Sequence, residues 1–118
     1  MIYLWRKQPY IKLQILLPPN KWHDIDCLID TGFSAGLSIP ESFKKSFPAN
    51  KFVEADFILA DGSGVKVDTI LTRVKFGDSE KEIIAAFMGK DDCLLGVEFL
   101  DQMRFCLDLK KYRVELTD

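Results

Sequence analysis

Between Tyr10 and Leu17 apolar and polar residues alternate, with Ile11, Leu13 and Ile15 on one face and Lys12 and Gln14 on the other. Successive side chains of a strand point to opposite faces, so this period of two predicts a half-buried strand. Pro18-Pro19-Asn20-Lys21 then turns the chain. Trp22 to Asp30 alternates again: Ile25, Cys27 and Ile29 share one face, and Asp24, Asp26, Leu28 and Asp30 share the other. The small, glycine-bearing run Thr31-Gly32-Phe33-Ser34-Ala35-Gly36 reads as a loop, and Leu37-Ser38-Ile39 as a short strand. Pro40 to Phe47 opens on a proline and an acid, both suited to a first helical turn, and Pro48 stops it, which predicts a short helix.

Strand signals return at Phe52. Phe52 to Ala60 and Val65 to Lys75 are rich in β-branched and aromatic residues, and Asp61-Gly62-Ser63-Gly64 between them is a hairpin signal. Glu82 to Met88 predicts another strand, Cys93-Leu94-Leu95-Gly96 a short apolar one, and Val97 to Met103 two helical turns. Phe105 to Leu109 and Tyr112 to Leu116, joined by Lys110-Lys111, predict a closing hairpin. No repeat or low-complexity segment interrupts this order. The fold class is therefore mainly β, with many short strands and one or two short helices, as a barrel or a sandwich.

Composition narrows what such a domain does. The chain has 118 residues, the size of a single domain with one core. Lysine and arginine number 16 against 18 acids, a net charge of 16 − 18 = −2, so there is no basic footprint for nucleic acid. The longest apolar run, Ile83 to Met88, is far below the ~20 residues of a membrane-spanning helix. Met1 to Lys7 does not read as a secretion signal, and Cys27, Cys93 and Cys106 are an odd, widely spaced set without a CxxC pair. Reduced thiols in a cytoplasmic protein are the expectation.

Chemistry is scarce. His23 is the single histidine, so a histidine-rich metal site is excluded, and no cofactor or metal is expected. Gly62 and Gly64 precede a strand where a phosphate-binding loop needs a helix. Asp24 and Asp26 are neighbours on one strand face, ~7 Å apart, which reads as a solvated face. Asp30-Thr31-Gly32 stands out, because its acid ends the apolar stretch Leu28-Ile29 and is thrust forward by the turn that follows. Some sixty residues later comes Leu94-Leu95-Gly96, followed by the predicted helix.

This ordered set resembles the retropepsin-like aspartic proteases, over Tyr10 to Leu116, and by phrase the small prokaryotic members. The resemblance implies an acid-protease-type β-barrel, closed or partly open, with Asp30, Thr31 and Gly32 as the catalytic triplet. It implies a flap hairpin over the cleft, Phe57 to Val67, with substrate contacts at Ala60, Asp61, Gly62, Ser63 and Gly64. Leu95 and Gly96 would thread beside the catalytic loop, and Phe33 and Ser34 would meet substrate. Phe33 departs from the family, which carries alanine, serine or threonine there; it either walls the cleft or packs under the flap.

The family's reaction needs two carboxylates facing one water, and this chain holds one Asp-Thr-Gly. The resemblance therefore implies a two-fold homodimer, with Thr31 bonding across the axis and Gly32 permitting close approach. Met1 to Trp5 and Arg113 to Leu116 are apolar enough to interleave between copies or to pair within one chain. The expected function is cleavage of extended peptides, with a non-catalytic dimeric peptide-binding or assembly module of the same fold as the alternative.

Overall fold

The computed structural model describes residues 1–117. The first alternating segments form strands as their patterns dictate. β1 (Ile2–Trp5) and β2 (Gln8–Leu17) make a hairpin, turned at Arg6 and Lys7, both at positive φ. β2 then pairs antiparallel with β3 (Lys21–Ile29), setting Ile11 opposite Cys27 and Leu13 opposite Ile25. Ile11, Leu13 and Ile15 from β2 and Ile25, Cys27 and Ile29 from β3 are all buried, so the two predicted faces are one continuous core wall. The N-terminal segment thus pairs within its own chain.

β4 (Leu37–Pro40) is buried along its whole length. The next segment is tighter than expected: Glu41–Ser46 is a 3₁₀ helix, with Pro40 offering no side-chain cap and Pro48 following after Phe47. Seven residues between two prolines are too few to nucleate an α-helix, and such pieces fall back on i→i+3 bonding. β5 (Val53–Ile58) and β6 (Gly64–Phe76) form the long hairpin, and β7 (Ser79–Gly89) follows a two-residue turn at Gly77 and Asp78. β8 (Cys93–Leu95) is short, and α1 (Val97–Leu100) is a single turn where two were expected. The helix ends because Gln102 takes φ +68, a left-handed conformation that closes a turn on Leu100 through the Met103 N–H. β9 (Arg104–Asp108) and β10 (Arg113–Thr117) are the expected closing hairpin, as a separate two-stranded sheet.

The eight-stranded sheet runs β1-β2-β3-β8-β4-β7-β6-β5, and β6 also pairs with β2 at Gln14–Lys75 and Ile15–Val74. This extra pairing joins six strands into a ring, and the expected mainly-β class holds. Two pairings are parallel, β3 with β8 and β4 with β7. The core inside the ring is built from Ile11, Leu13, Ile15, Cys27, Leu37, Ile39, Phe87 and Leu95, each at most 1% exposed. Among the described residues no helix is long and apolar enough to cross a membrane.

Candidate active site

Strand β3 ends at Ile29, whose side chain is buried, and the next residue leaves the sheet. Asp30 is held there through its backbone and its own carboxylate. Its N–H donates to the Leu95 carbonyl at 2.9 Å, its carbonyl accepts from the Phe33 N–H at 3.0 Å, and its Oδ1 accepts from the Gly32 N–H at 2.9 Å. A Cβ on residue 32 would stand 3.2 Å from that Oδ1, so glycine keeps the carboxylate uncrowded. Thr31 is exposed on the same turn, and among the described residues its side chain makes no hydrogen bond.

The loop after Asp30 is clamped by the start of α1. Gly96 N–H donates to the Gly36 carbonyl at 2.9 Å, and Val97 N–H to that of Phe33 at 3.0 Å. A Cβ on Gly96 would collide with the Ala35 and Phe33 carbonyl oxygens, the latter at 2.6 Å. Only glycine allows the two segments to approach this closely. Gly96 is accordingly buried beneath the loop and does not face the cleft. Leu95, expected beside substrate, is 0% exposed in the core, and the residue that lines the cleft is Leu94. The alternation of a strand explains the exchange, since neighbours on β8 face opposite sides.

Asp30 opens into a cleft of about 510 Å³. Gly32, Phe33 and Ser34 line it from the loop, and Phe57, Ile58, Leu59 and Ala60 from the β5–β6 hairpin. Met88, Gly89 and Asp92 line it from the end of β7 and the turn before β8. The Phe33 ring stacks on Phe57, with centroids 6.1 Å apart and planes 25° apart, so it both walls the cleft and packs under the hairpin. Asp61, Gly62, Ser63 and Gly64 lie beyond the cleft lining and form an exposed tip. Asp61 Oδ1 accepts from both the N–H and Oγ of Ser63, at 2.9 and 2.6 Å, and these bonds hold its carboxyl below the usual carboxylate range. Gly62 adopts φ +86, as the turn at Leu59–Ser63 requires.

Ser38, Met88, Gly89, Asp92 and Leu94 all line the cleft, and the sequence assigned none of them to it, although it named Leu94 in the Leu94-Leu95-Gly96 motif. Leu94 could have been found from the phase of β8; the others meet Asp30 through the parallel pairings, which local patterns do not encode. A second cavity of about 470 Å³, walled by Leu16, Pro18, Phe47, Ile70 and Leu71 among others, shares no residue with the cleft.

No protein-family model matches the chain, and no curated protein is similar to it in sequence. Its three-dimensional structure is similar to the crystal structure of a retropepsin-like aspartic protease from Rickettsia conorii, with a TM-score of 0.69. The two are 24% identical over 98% of this chain and 86% of the other. The fold is retropepsin-like. The three segments that carried the sequence resemblance are, in this fold, the strand end at Asp30, the β5–β6 hairpin beside the cleft and the β8–α1 junction.

Proposed function

We propose that the chain is an aspartic endopeptidase that acts as a homodimer, with one Asp30 from each copy flanking a shared water. The observation that carries this reading is the setting of Asp30, an acid placed by backbone hydrogen bonds at a strand end, in an open cleft beneath a hairpin. The retropepsin-like fold and the Asp30-Thr31-Gly32 triplet support it. One ionised Asp30 takes a proton from the water, whose oxygen attacks the scissile carbonyl carbon. The other Asp30, protonated, donates to the carbonyl oxygen; a proton then passes to the amide nitrogen as the C–N bond breaks. At ~3 Å and an effective dielectric of ~20, two carboxylate charges repel by about 5 kcal/mol, so such a pair keeps one proton between them, as aspartic protease dyads in general do.

The substrate lies extended under the hairpin like an added strand, its backbone giving affinity and its side chains specificity. Ile58, 77% exposed, and Leu59, 41% exposed, are apolar groups on the hairpin whose burial such a peptide completes. The free thiols Cys27, Cys93 and Cys106 suit a reducing, cytoplasmic setting. The test is digestion of an unbiased peptide library alongside sedimentation. Cleavage by wild type that falls by about 10³-fold or more in Asp30→Asn, with the dimer intact, supports the reading. Extended peptides that bind but are never cut would assign the chain instead to peptide binding or assembly.

A further inference from the structure

We infer that the cleft contains a subsite for a basic side chain, with Asp92 as its specificity-determining residue, so that favoured peptides carry lysine or arginine close to the scissile bond. The inference rests on the peptidase reading above and names its substrate class. The cleft walls are apolar at Phe33, Phe57, Ile58, Met88 and Leu94, and among the described residues the charged ones lining it are Asp30 and Asp92. Neither lysine nor arginine is among them. Asp30 is engaged with the Gly32 N–H and is assigned to the water. Asp92 is exposed, and among the described residues no side-chain hydrogen bond or ion pair occupies its carboxylate, although Lys90 is only two positions away.

Its position is built into the backbone. A Cβ on Gly89 would stand 3.0 Å from Asp92 Oδ1 and 2.7 Å from the Asp92 carbonyl oxygen. The missing side chain at the end of β7 is therefore the space into which Asp92 folds. One residue later Cys93 enters β8 in register with Cys27, and Leu95 of the same strand accepts the Asp30 N–H. Asp92 immediately precedes β8 and Asp30 immediately follows β3, at opposite ends of one parallel strand pair, so the sheet determines their separation.

An apolar trough ending in one unpaired carboxylate matches a long side chain whose methylenes lie on the walls while its cation reaches the acid. When the hairpin covers the peptide, an apolar side chain there leaves Asp92 desolvated without a partner, and an acidic one adds repulsion. Asp92 therefore discriminates by penalty as well as by attraction. In the two-fold dimer each copy supplies one such carboxylate, so the preference falls on both sides of the cut.

The test compares peptides that differ only by lysine, methionine or glutamate at each position near the scissile bond. Wild type is expected to prefer lysine over methionine by about threefold to tenfold in kcat/KM, with glutamate worst. Asp92→Asn brings the lysine-to-methionine ratio to about one, Asp92→Lys reverses the order of lysine and glutamate, and Asp91→Asn, outside the cleft lining, leaves the ratio unchanged. In wild type alone, the ratio shrinks as salt is raised. A binding series on Asp30→Asn separates the two readings. A lysine preference in binding without cleavage by wild type keeps the subsite and overturns the peptidase. Cleavage without a lysine preference, a ratio that survives Asp92→Asn, or one that collapses equally in Asp91→Asn overturns the subsite.

Discussion

Leu94 and Leu95 are the same residue type with opposite duties. Leu95 is 0% exposed, packed in the ring's core, while its carbonyl fixes Asp30; Leu94 is half-buried in the cleft wall. Leu95→Ala should cost about 2–5 kcal/mol in chemical denaturation, the usual loss for a fully buried leucine. Leu94→Ala should cost less than about 1.5 kcal/mol and instead alter the selectivity of the peptide digest. A larger stability loss in Leu94→Ala than in Leu95→Ala would show that β8 has the opposite phase. Asp30 was legible in the sequence because an acid after Leu28-Ile29 and before Thr31-Gly32 is a local pattern. Asp92 was not, because its place depends on the empty side of Gly89, and that approach exists only after β7 and β8 have met.

At the scale of elements, the buried faces of β2 and β3 were readable, since burial of Ile11, Leu13, Ile15, Ile25, Cys27 and Ile29 follows their alternation, while the ends shifted: β2 begins at Gln8, and β3 runs from Lys21 to Ile29. The helices were overestimated. Pro40 to Phe47 and Val97 to Met103 carry helix-compatible residues, but neither has a side-chain N-cap, and both are shorter than an autonomous helix needs. β1 was ambiguous by sequence and is resolved by contacts. Tyr3 stacks on Tyr10 at 5.6 Å, and its hydroxyl donates to Asp26 Oδ1 at 2.8 Å. Burial, and then that bond, push the phenol up to about 12. A raised phenol holds its proton in the folded state after the unfolded chain has lost it, so this stabilisation is complete below pH ~10 and is lost as pH climbs to about 12. Thermal melts across that window should show a steeper fall in Tm for wild type than for Tyr3→Phe. Parallel curves would mean that the Tyr3–Asp26 bond does not persist in solution.

The whole molecule is a ring closed by few bonds. β2 and β6 meet only at Gln14–Lys75 and Ile15–Val74, and nearby Thr72 Oγ1 donates to the Leu16 carbonyl at 3.0 Å. Closure gives one core, and the cleft at Asp30 carries the sequence's single Asp-Thr-Gly. On the proposed reading that cleft is half of an active site, and peptidase activity depends on mass action between copies. Specific activity should fall on dilution and recover on concentration, with a midpoint matching the monomer–dimer transition in sedimentation. Constant specific activity well below that transition would require a complete site within one chain.

The sequence by itself determined the faces of β2 and β3, the hairpin turns and the half-buried acid that follows β3, because each is written in neighbours within a few positions. The tertiary structure decided which of those pieces share a space. The parallel pairings of β3 with β8 and β4 with β7 bring the end of β3 beside residues some sixty positions away. They set Leu95 under Asp30, turn Leu94 into the cleft and fold Asp92 against Gly89. Non-local strand pairing has no local signature, since the same alternating pattern fits any partner strand, and its choice rests on how the assembled core closes.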